Sequence, residues 1–167
     1  MFDWSGGQTD LEKALALDPH GSSQQRRDGA LMATLGRLPE AIAAVRKAIE
    51  VDPLDTIAWP DLGRYLAATG QYAQARQALR RSLEISPDNS YARRWLGETE
   101  LRNGRAAEAL ADFRQVQQEP ARLCGVAAAE YLLGHGKESQ QTLDALLAKY
   151  GGTWSYSIAA VFAWRGE

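Results

Sequence analysis

The stretch of sequence that decides the fold is residues 56–89, TIAWPDLGRYLAATGQYAQARQALRRSLEISPDN. Its proline, Pro87, follows Pro19 and Pro53 at intervals of 34 residues, and each of the three comes after an apolar residue and a polar one. Two series of glycines keep the same interval, and they are Gly29, Gly63 and Gly97, and Gly36, Gly70 and Gly104. Three markers that share one period indicate a repeated structural unit.

The apolar residues between these markers follow the period of an α-helix. One such set is Ala41, Ile42, Val45, Ala48 and Ile49. No stretch of useful length alternates with a period of two, which is the pattern of a half-buried strand. The sequence therefore predicts an all-α fold.

The two glycine series predict two structural roles. Glycine inside a helix costs about 1 kcal/mol relative to alanine, so Gly63 and Gly97 indicate places where two helix backbones approach closely. Gly36, Gly70 and Gly104 each follow one helical stretch and precede the next, which is the position of a left-handed C-terminal cap. Each unit is thus predicted to be a hairpin of two helices. The alanines predicted to face a neighbouring helix are Ala41, Ala48, Ala75 and Ala109.

Residues 56–89 resemble the tetratricopeptide repeat, whose pattern runs Trp, Leu-Gly, an aromatic residue, Ala, a large residue and Pro. The residues that carry the resemblance are Trp59, Leu62, Gly63, Leu66, Gly70, Ala75, Leu79 and Pro87. Residues 90–123 have Arg93 in place of the Trp. Residues 22–55 have Asp28 in place of a core Leu, so we expect the first helix of that unit to pack less well. The resemblance implies a right-handed solenoid of antiparallel helical hairpins, with about four to five repeats and incomplete terminal repeats.

We predict a single domain over residues 1–167. Its segments are a partial repeat at 1–21, repeats at 22–55, 56–89 and 90–119, a degenerate repeat at 120–151 and a partial repeat at 152–167. The helices are predicted at 5–17, 22–35, 38–51, 56–69, 72–85, 90–103, 106–117, 121–133, 137–149 and 153–165.

The last predicted helix is crowded with apolar residues and has no partner after it. We expect Ile158, Val161 and Phe162 to form an uncovered apolar face, which predicts self-association through the C-terminal helix. Because terminal repeats normally carry a polar outer face, we also expect the sequence to be a segment of a longer chain.

The composition excludes several classes of function. The net charge of −2 gives no general attraction to nucleic acid or to an anionic membrane. No apolar run approaches the roughly 18 residues of a spanning helix, and Cys124 is the sole cysteine, so no intrachain disulfide forms. We expect a cytoplasmic location and, from the excess of Arg over Lys together with abundant Ala, a bacterial source.

The sequence predicts no catalytic, cofactor-binding or metal-binding site, and we do not expect an enzyme. His20 and His135 lie in predicted loops with no Cys or His at ligand spacing. Cys124 has no His beside it. The segment 134–139, GHGKES, lacks the preceding strand and the Lys-Ser/Thr pair of a phosphate-binding loop.

The resemblance implies that the first helix of each hairpin lines a concave groove. The residues placed there as a candidate partner-binding site are Arg26, Arg27, Arg64, Tyr91, Arg94, Trp95, Glu98, Arg102 and Tyr131. Arg and aromatic residues are enriched at binding hot spots, and forked guanidinium groups suit carboxylates. We therefore predict an acidic or carboxylate-bearing peptide with an apolar anchor, discriminated by charge position because Asp61 and Glu98 interrupt the positive stripe. The alternative is that these arginines are only solvated and that Trp95 packs inside.

The leading functional hypothesis is a protein–protein interaction scaffold that binds a peptide or a partner domain in the groove. A different hypothesis is an intramolecular regulatory or sensor tail, because the segment 156–167 resembles repeat tails of bacterial adenylate cyclases and transcription regulators. Binding of nucleic acid by helical repeats is disfavoured by the net charge and by the absence of a base-reading code at fixed repeat positions.

Overall fold

The computed structural model describes residues 21–166, and within them the regular structure is entirely helical. The helices are α1 (Ser22–Thr34), α2 (Leu38–Val51), α3 (Ala58–Ala68), α4 (Tyr72–Ile85), α5 (Ser90–Arg102), α6 (Ala106–Phe113), α7 (Glu119–Leu132), α8 (Gly136–Tyr150) and α9 (Ser155–Arg165). Each helix predicted from residue 22 onward is present, and the all-α helical-repeat fold is confirmed. The helix predicted at 5–17 lies outside the described residues.

The chain divides into two compact units, one up to Ala58 and one from Trp59 onward. In the first, α1 and α2 form a hairpin whose core includes Ala41, Val45 and Ala48. A Cβ atom added at Gly29 would lie 2.7 Å from Cγ2 of Val45, so the two helices pack closely there. Gly29 is the one buried residue of α1, consistent with the weak packing expected from Asp28.

The second unit contains α3 to α9 and repeats the same packing device. A Cβ atom at Gly63 would lie 2.5 Å from Cγ of Leu79, and one at Gly97 would lie 2.9 Å from the ring of Phe113. The turn glycines Gly70 and Gly104 have φ angles of 77° and 73°, which is the left-handed region that favours glycine. Both glycine roles predicted from the sequence are confirmed.

Helix α6 is shorter than predicted. It ends at Phe113 after 8 residues, whereas α4 has 14, and the prediction that it continues to residue 117 is wrong. After Phe113 the chain turns, and the buried side chain of Val116 completes the core from the turn. Nη1 of Arg122 donates a hydrogen bond to the Val116 carbonyl oxygen at 3.0 Å and fixes this turn.

The apolar face expected to be open on the last helix is largely covered. Ile158 and Val161 are 5% and 2% exposed, because they pack with Ala127 of α7 and with Leu143 and Leu146 of α8. The expectation of an uncovered face at these two residues is therefore wrong. Helix α9 lies against α7 and α8. Among residues 21–166, none of the helices combines the length and the hydropathy of a membrane span.

Candidate ligand-binding face

A cavity of about 190 Å³ lies in the second unit between α5, α7 and α9. The residues that line it are Arg94, Trp95, Glu98, Leu101 and Arg102 of α5, Phe113 of α6, Ala121, Cys124, Gly125 and Ala128 of α7, and Tyr156, Ser157, Ala160, Val161 and Trp164 of α9. We call this side of the second unit the cavity face. Four of the candidate partner-binding residues meet here, namely Arg94, Trp95, Glu98 and Arg102.

Helix α5 brings these residues together because they recur at helical spacing. Arg94, Glu98 and Arg102 follow one another at every fourth position, so their side chains share one side of the helix. The start of α5 is fixed by Asn89, whose Oδ1 accepts a hydrogen bond from the Ala92 backbone N–H at 3.0 Å. A cap of this kind stabilises a helix by about 1 kcal/mol.

Most charges on the cavity face are compensated within their own helix. Nε of Arg94 lies 3.3 Å from Oε1 of Glu98, and its guanidinium lies 5.8 Å from the ring centre of Trp95. On α3, Nη2 of Arg64 lies 3.4 Å from Oδ1 of Asp61. In the described part of the chain, Arg102 forms no hydrogen bond or ion pair and is exposed. The surplus positive charge of this face therefore resides on Arg102.

Aromatic residues connect α3 to α5. The rings of Tyr91 and Trp95 meet edge to face with centres 6.2 Å apart, and the guanidinium of Arg64 lies 5.6 Å from the Trp95 ring. The hydroxyl of Tyr91 donates a hydrogen bond to Oδ1 of Asp61 at 3.2 Å. Burial, with the charge of Asp61 beside it, raises the pKa of Tyr91, so the hydroxyl stays protonated as a donor. Trp95 both lines the cavity and packs against the core around Leu96.

A second, wider depression of about 540 Å³ borders the same face. Its lining residues are Ser90, Tyr91, Arg94, Val116, Gln117 and Gln118. Because Arg94 lines both spaces, it stands between them.

Three of the predicted site residues lie elsewhere. Arg26 belongs to the first unit, where its Nε lies 3.7 Å from Oδ2 of Asp55, and Arg27 is an exposed residue of that unit. Tyr131 lines neither cavity; its ring lies beneath the guanidinium of Arg165 at 5.4 Å. Arg26, Arg27 and Tyr131 therefore do not belong to the cavity face.

Sequence reasoning did not identify the residues that α6, α7 and most of α9 contribute to the cavity. Phe113, which the repeat pattern assigns to the core, also contributes to the cavity lining. Cys124 lines it as well, and burial raises the pKa of its thiol to about 11. The thiol is therefore protonated at neutral pH, which argues against a nucleophilic role. The repeat pattern marks Phe113 as a core residue but does not show that a space remains beside it, because the cavity arises from the packing of α9 against α7.

The opposite side of α5 carries a different set of charges. The carboxyl of Glu100 is buried, and its Oε1 lies 3.1 Å from Nε of Arg76 on α4. Nη1 of Arg93 lies 3.8 Å from Oδ1 of Asp112 on α6. Burial raises the pKa of Asp112 to about 6, with Arg93 opposing the rise and Glu100 adding to it. We call these four residues the inner charge cluster.

The described residues offer no metal centre. Within residues 21–166, no group of three His, Cys, Asp or Glu side chains is arranged to hold a metal ion. The lining of the cavity face offers apolar contact, aromatic stacking and charge-assisted hydrogen bonding.

Comparisons with known proteins identify the architecture. The family model described as "Tetratricopeptide repeat" matches residues 33–90 and 61–122, together more than half of the chain. The structure of MamA has a TM-score of 0.71 at 19% identity, with 87% of each chain covered. PilW, described as a widely conserved type IV pilus biogenesis factor, has a TM-score of 0.74 at 24% identity, covering 93% of this chain and 73% of that one.

A third similar structure is that of YrrB, described as a TPR protein with an unusual peptide-binding site. Its TM-score is 0.66 at 16% identity, covering 93% of this chain and 83% of that one. At these identities the likeness shows the fold. A comparison with curated protein sequences gives no match.

Proposed function

Because the chain belongs to the tetratricopeptide repeat family, we propose that it is a protein-interaction scaffold that binds an acidic peptide on the cavity face of its second unit. The observation that carries this proposal is the cavity between α5, α7 and α9, which has the unpaired guanidinium of Arg102 in its lining. Family membership supports binding of a peptide or protein; the acidic character of the ligand rests on the charges of this chain.

The charge balance of the cavity face favours an anionic ligand. Arg94 and Glu98 compensate each other, and so do Arg64 and Asp61. Arg102 remains as the excess cation, and complementary charge across an interface steers association and fixes register. A carboxylate can accept two parallel hydrogen bonds from one guanidinium, which makes Arg102 a suitable contact.

The aromatic residues supply the apolar part of the interface. Tyr91 is partly exposed beside the wider depression, and Trp95 lines the cavity. Both are held in place, Tyr91 by its hydrogen bond to Asp61 and Trp95 by its edge-to-face contact with Tyr91. Rigid aromatic side chains lose little conformational entropy on binding, and they are enriched at binding hot spots.

We do not extend the proposal to self-association through α9. Of the three residues expected to drive it, Ile158 and Val161 are buried against α7 and α8, and Phe162 is partly buried against the same cluster. The large exposed side chain on this helix is Tyr156, at 90% exposure, and a single exposed aromatic residue needs no covering partner.

A screen of a displayed peptide library tests the proposal. The wild-type protein is compared with an Arg94→Glu/Arg102→Glu variant and with a control, Arg114→Glu/Lys137→Glu, which makes the same change in net charge away from the cavity. We expect acidic peptides to be selected by the wild type and the control, and to be lost with the cavity-face variant. Selection of basic peptides by the wild type, or undiminished selection of acidic ones by the cavity-face variant, would show that the assignment is wrong.

A further inference from the structure

The dimensions and the lining of the cavity identify one contact within the proposed interface. We propose that the cavity receives a single aromatic side chain of the bound peptide, and that a carboxylate on the adjacent residue pairs with Arg102. The ligand class is therefore a peptide with an aromatic–acidic pair of neighbours. This inference rests on the proposed function.

The size of the cavity suits one ring. Its volume is about 190 Å³, whereas an apolar cavity of roughly 150 Å³ is known to hold benzene. Sites for a whole drug-sized molecule measure about 300–1,000 Å³. A phenyl or phenol side chain fits the available space, and a folded segment of the partner does not.

The walls of the cavity suit an apolar, flat group. Leu101, Phe113 and Val161 are buried residues in its lining, and Ala160 leaves room because its side chain is small. Trp95 and Trp164 add aromatic surface, and an aromatic pair in offset or edge-to-face contact gains about 0.5–1.5 kcal/mol beyond the burial of area.

The polar part of the lining selects the neighbour of that ring. Arg94 and Glu98 form an ion pair with each other, so a ligand gains little from replacing either partner. No carboxylate among the described residues forms an ion pair with Arg102. A ligand carboxylate beside the ring would be the first to pair with it, whereas a cationic neighbour would be repelled.

Four capped hexapeptides that differ only in their two central residues test the inference. The central pairs are Phe-Asp, Ala-Asp, Phe-Asn and Phe-Lys, each flanked by two glycines on either side, and affinities are measured by calorimetric titration of the wild-type protein. We expect the Phe-Asp peptide to bind at least tenfold more tightly than the Ala-Asp peptide and about threefold more tightly than the Phe-Asn peptide, and the Phe-Lys peptide to be the weakest. Equal affinities for Phe-Asp and Ala-Asp, or tighter binding of Phe-Lys, would overturn the inference.

Two pairs of variants locate the contact. Ala160→Leu narrows the cavity, and its control is Ala159→Leu, because Ala159 is exposed on the same helix and does not line the cavity. Arg102→Gln removes the proposed carboxylate partner, and its control is Arg114→Gln. We expect Ala160→Leu to lower the affinity for the Phe-Asp peptide at least tenfold and to leave the affinity for the Ala-Asp peptide unchanged. We expect Arg102→Gln to bind the Phe-Asp and Phe-Asn peptides equally. The controls should leave all four affinities unchanged.

Fluorine NMR of wild-type protein labelled with 5-fluorotryptophan gives an independent location, because binding is measured on the unsubstituted protein and variants serve only to assign its signals. The signals, assigned by single Trp→Phe substitutions, should shift for Trp95 and Trp164 and stay fixed for Trp59, which does not line the cavity. If library-selected acidic peptides bind but these two signals do not move, the anchor assignment is wrong and the scaffold function stands. If no acidic peptide binds at all, both proposals are wrong.

Discussion

The two sides of helix α5 carry similar residues in different relationships. On the cavity face, Arg94 pairs with Glu98 of the same helix. On the opposite side, Glu100 pairs with Arg76 of α4, and Arg93 pairs with Asp112 of α6. The first pair orders only its own helix, whereas the other two join α5 to its neighbours.

This difference separates charges that can serve a ligand from charges that serve the fold. The Arg94–Glu98 pair is half-buried and lies within one helix. Breaking such a pair near the surface costs up to about 1 kcal/mol, so the cavity face can reorganise around a partner with a modest loss. Removing one member of a buried pair leaves the other charge desolvated and unpaired. Arginine and glutamate are thus available to a ligand on one side of α5 and stabilise the fold on the other.

The largest expected effect is on the inner charge cluster. Replacement of Glu100 by Gln removes the charge that compensates the partly buried guanidinium of Arg76, and we expect the free energy of unfolding to fall by about 3 kcal/mol. The matched control is Glu98→Gln, which should change stability by less than about 1 kcal/mol because this pair is half-buried and lies within one helix. Urea unfolding measures both, and equal effects of the two substitutions would remove the distinction between the two sides.

Gly125→Ala should disturb Phe113, which belongs both to the core and to the lining of the cavity. A Cβ atom at this position would lie 2.1 Å from Cδ1 of Phe113. We expect a loss of stability of about 2 kcal/mol from overpacking and a loss of peptide affinity.

The control for this substitution is Gly136→Ala, where an added Cβ atom meets nothing within 4 Å. It should leave both the unfolding midpoint and the peptide affinity unchanged. A fully stable Gly125→Ala protein would show that α6 and α7 are less closely packed around Phe113 than the structure indicates.

The titration of Asp112 predicts a smaller effect that depends on pH. Its pKa of about 6 in the folded protein lies above the ordinary value of 3.8, so the folded state binds the proton more tightly than the unfolded state. The contribution of Asp112 to the free energy of unfolding should therefore rise as the pH falls from about 6 toward 4. Above pH 6 this contribution is absent and does not change with pH. Because the group is partly exposed, we expect a gain of about 1 kcal/mol.

The groups that face Asp112 are Arg93, Arg80 and Glu100. Urea midpoints measured from pH 4.5 to pH 7 check the prediction, with Asp112→Asn as the reference that removes the titrating group. A difference between the wild-type and Asp112→Asn profiles that does not grow as the pH falls from 6 toward 4.5 would contradict the assignment.

The smallest expected effect is a gain of affinity on the cavity face. Glu98→Gln frees Arg94 from its ion pair, so an acidic peptide meets two available guanidinium groups instead of one. We expect binding to strengthen by about 0.5 kcal/mol, which is a typical value for one exposed ion pair. Calorimetric titration with the Phe-Asp peptide measures the change, and weaker binding would show that Glu98 itself contacts the ligand.

The fold was largely predictable from the sequence because its signals are local. The period of the glycines and prolines located the hairpins of residues 22–119, and the glycines inside helices identified the close contacts with Leu79 and Phe113. Beyond residue 119 the repeat is degenerate, and the helices there were placed by their resemblance to the repeat. The end of α6 was missed, because the buried position of Val116 in a turn depends on packing that local propensity does not encode.

The candidate site was predictable only in part. Helical spacing allows Glu98 to pair with either Arg94 or Arg102, since both lie four residues away on the same side of α5. Spacing therefore cannot decide which arginine remains free, and the structure leaves Arg102 unpaired. The cavity itself depends on the detailed packing of α9 against α7, and the repeat pattern predicts that these helices stack but not the space left between them.

The central claim, that the cavity face serves a ligand while the inner charge cluster serves the fold, is tested most directly by the Arg102→Gln protein. Its affinity for the Phe-Asp peptide and its urea midpoint are measured on the same sample. We expect a loss of affinity of about threefold, in keeping with one ion pair near the surface, with an unchanged midpoint. An unchanged affinity, or a loss of affinity accompanied by an equivalent loss of stability, would contradict it.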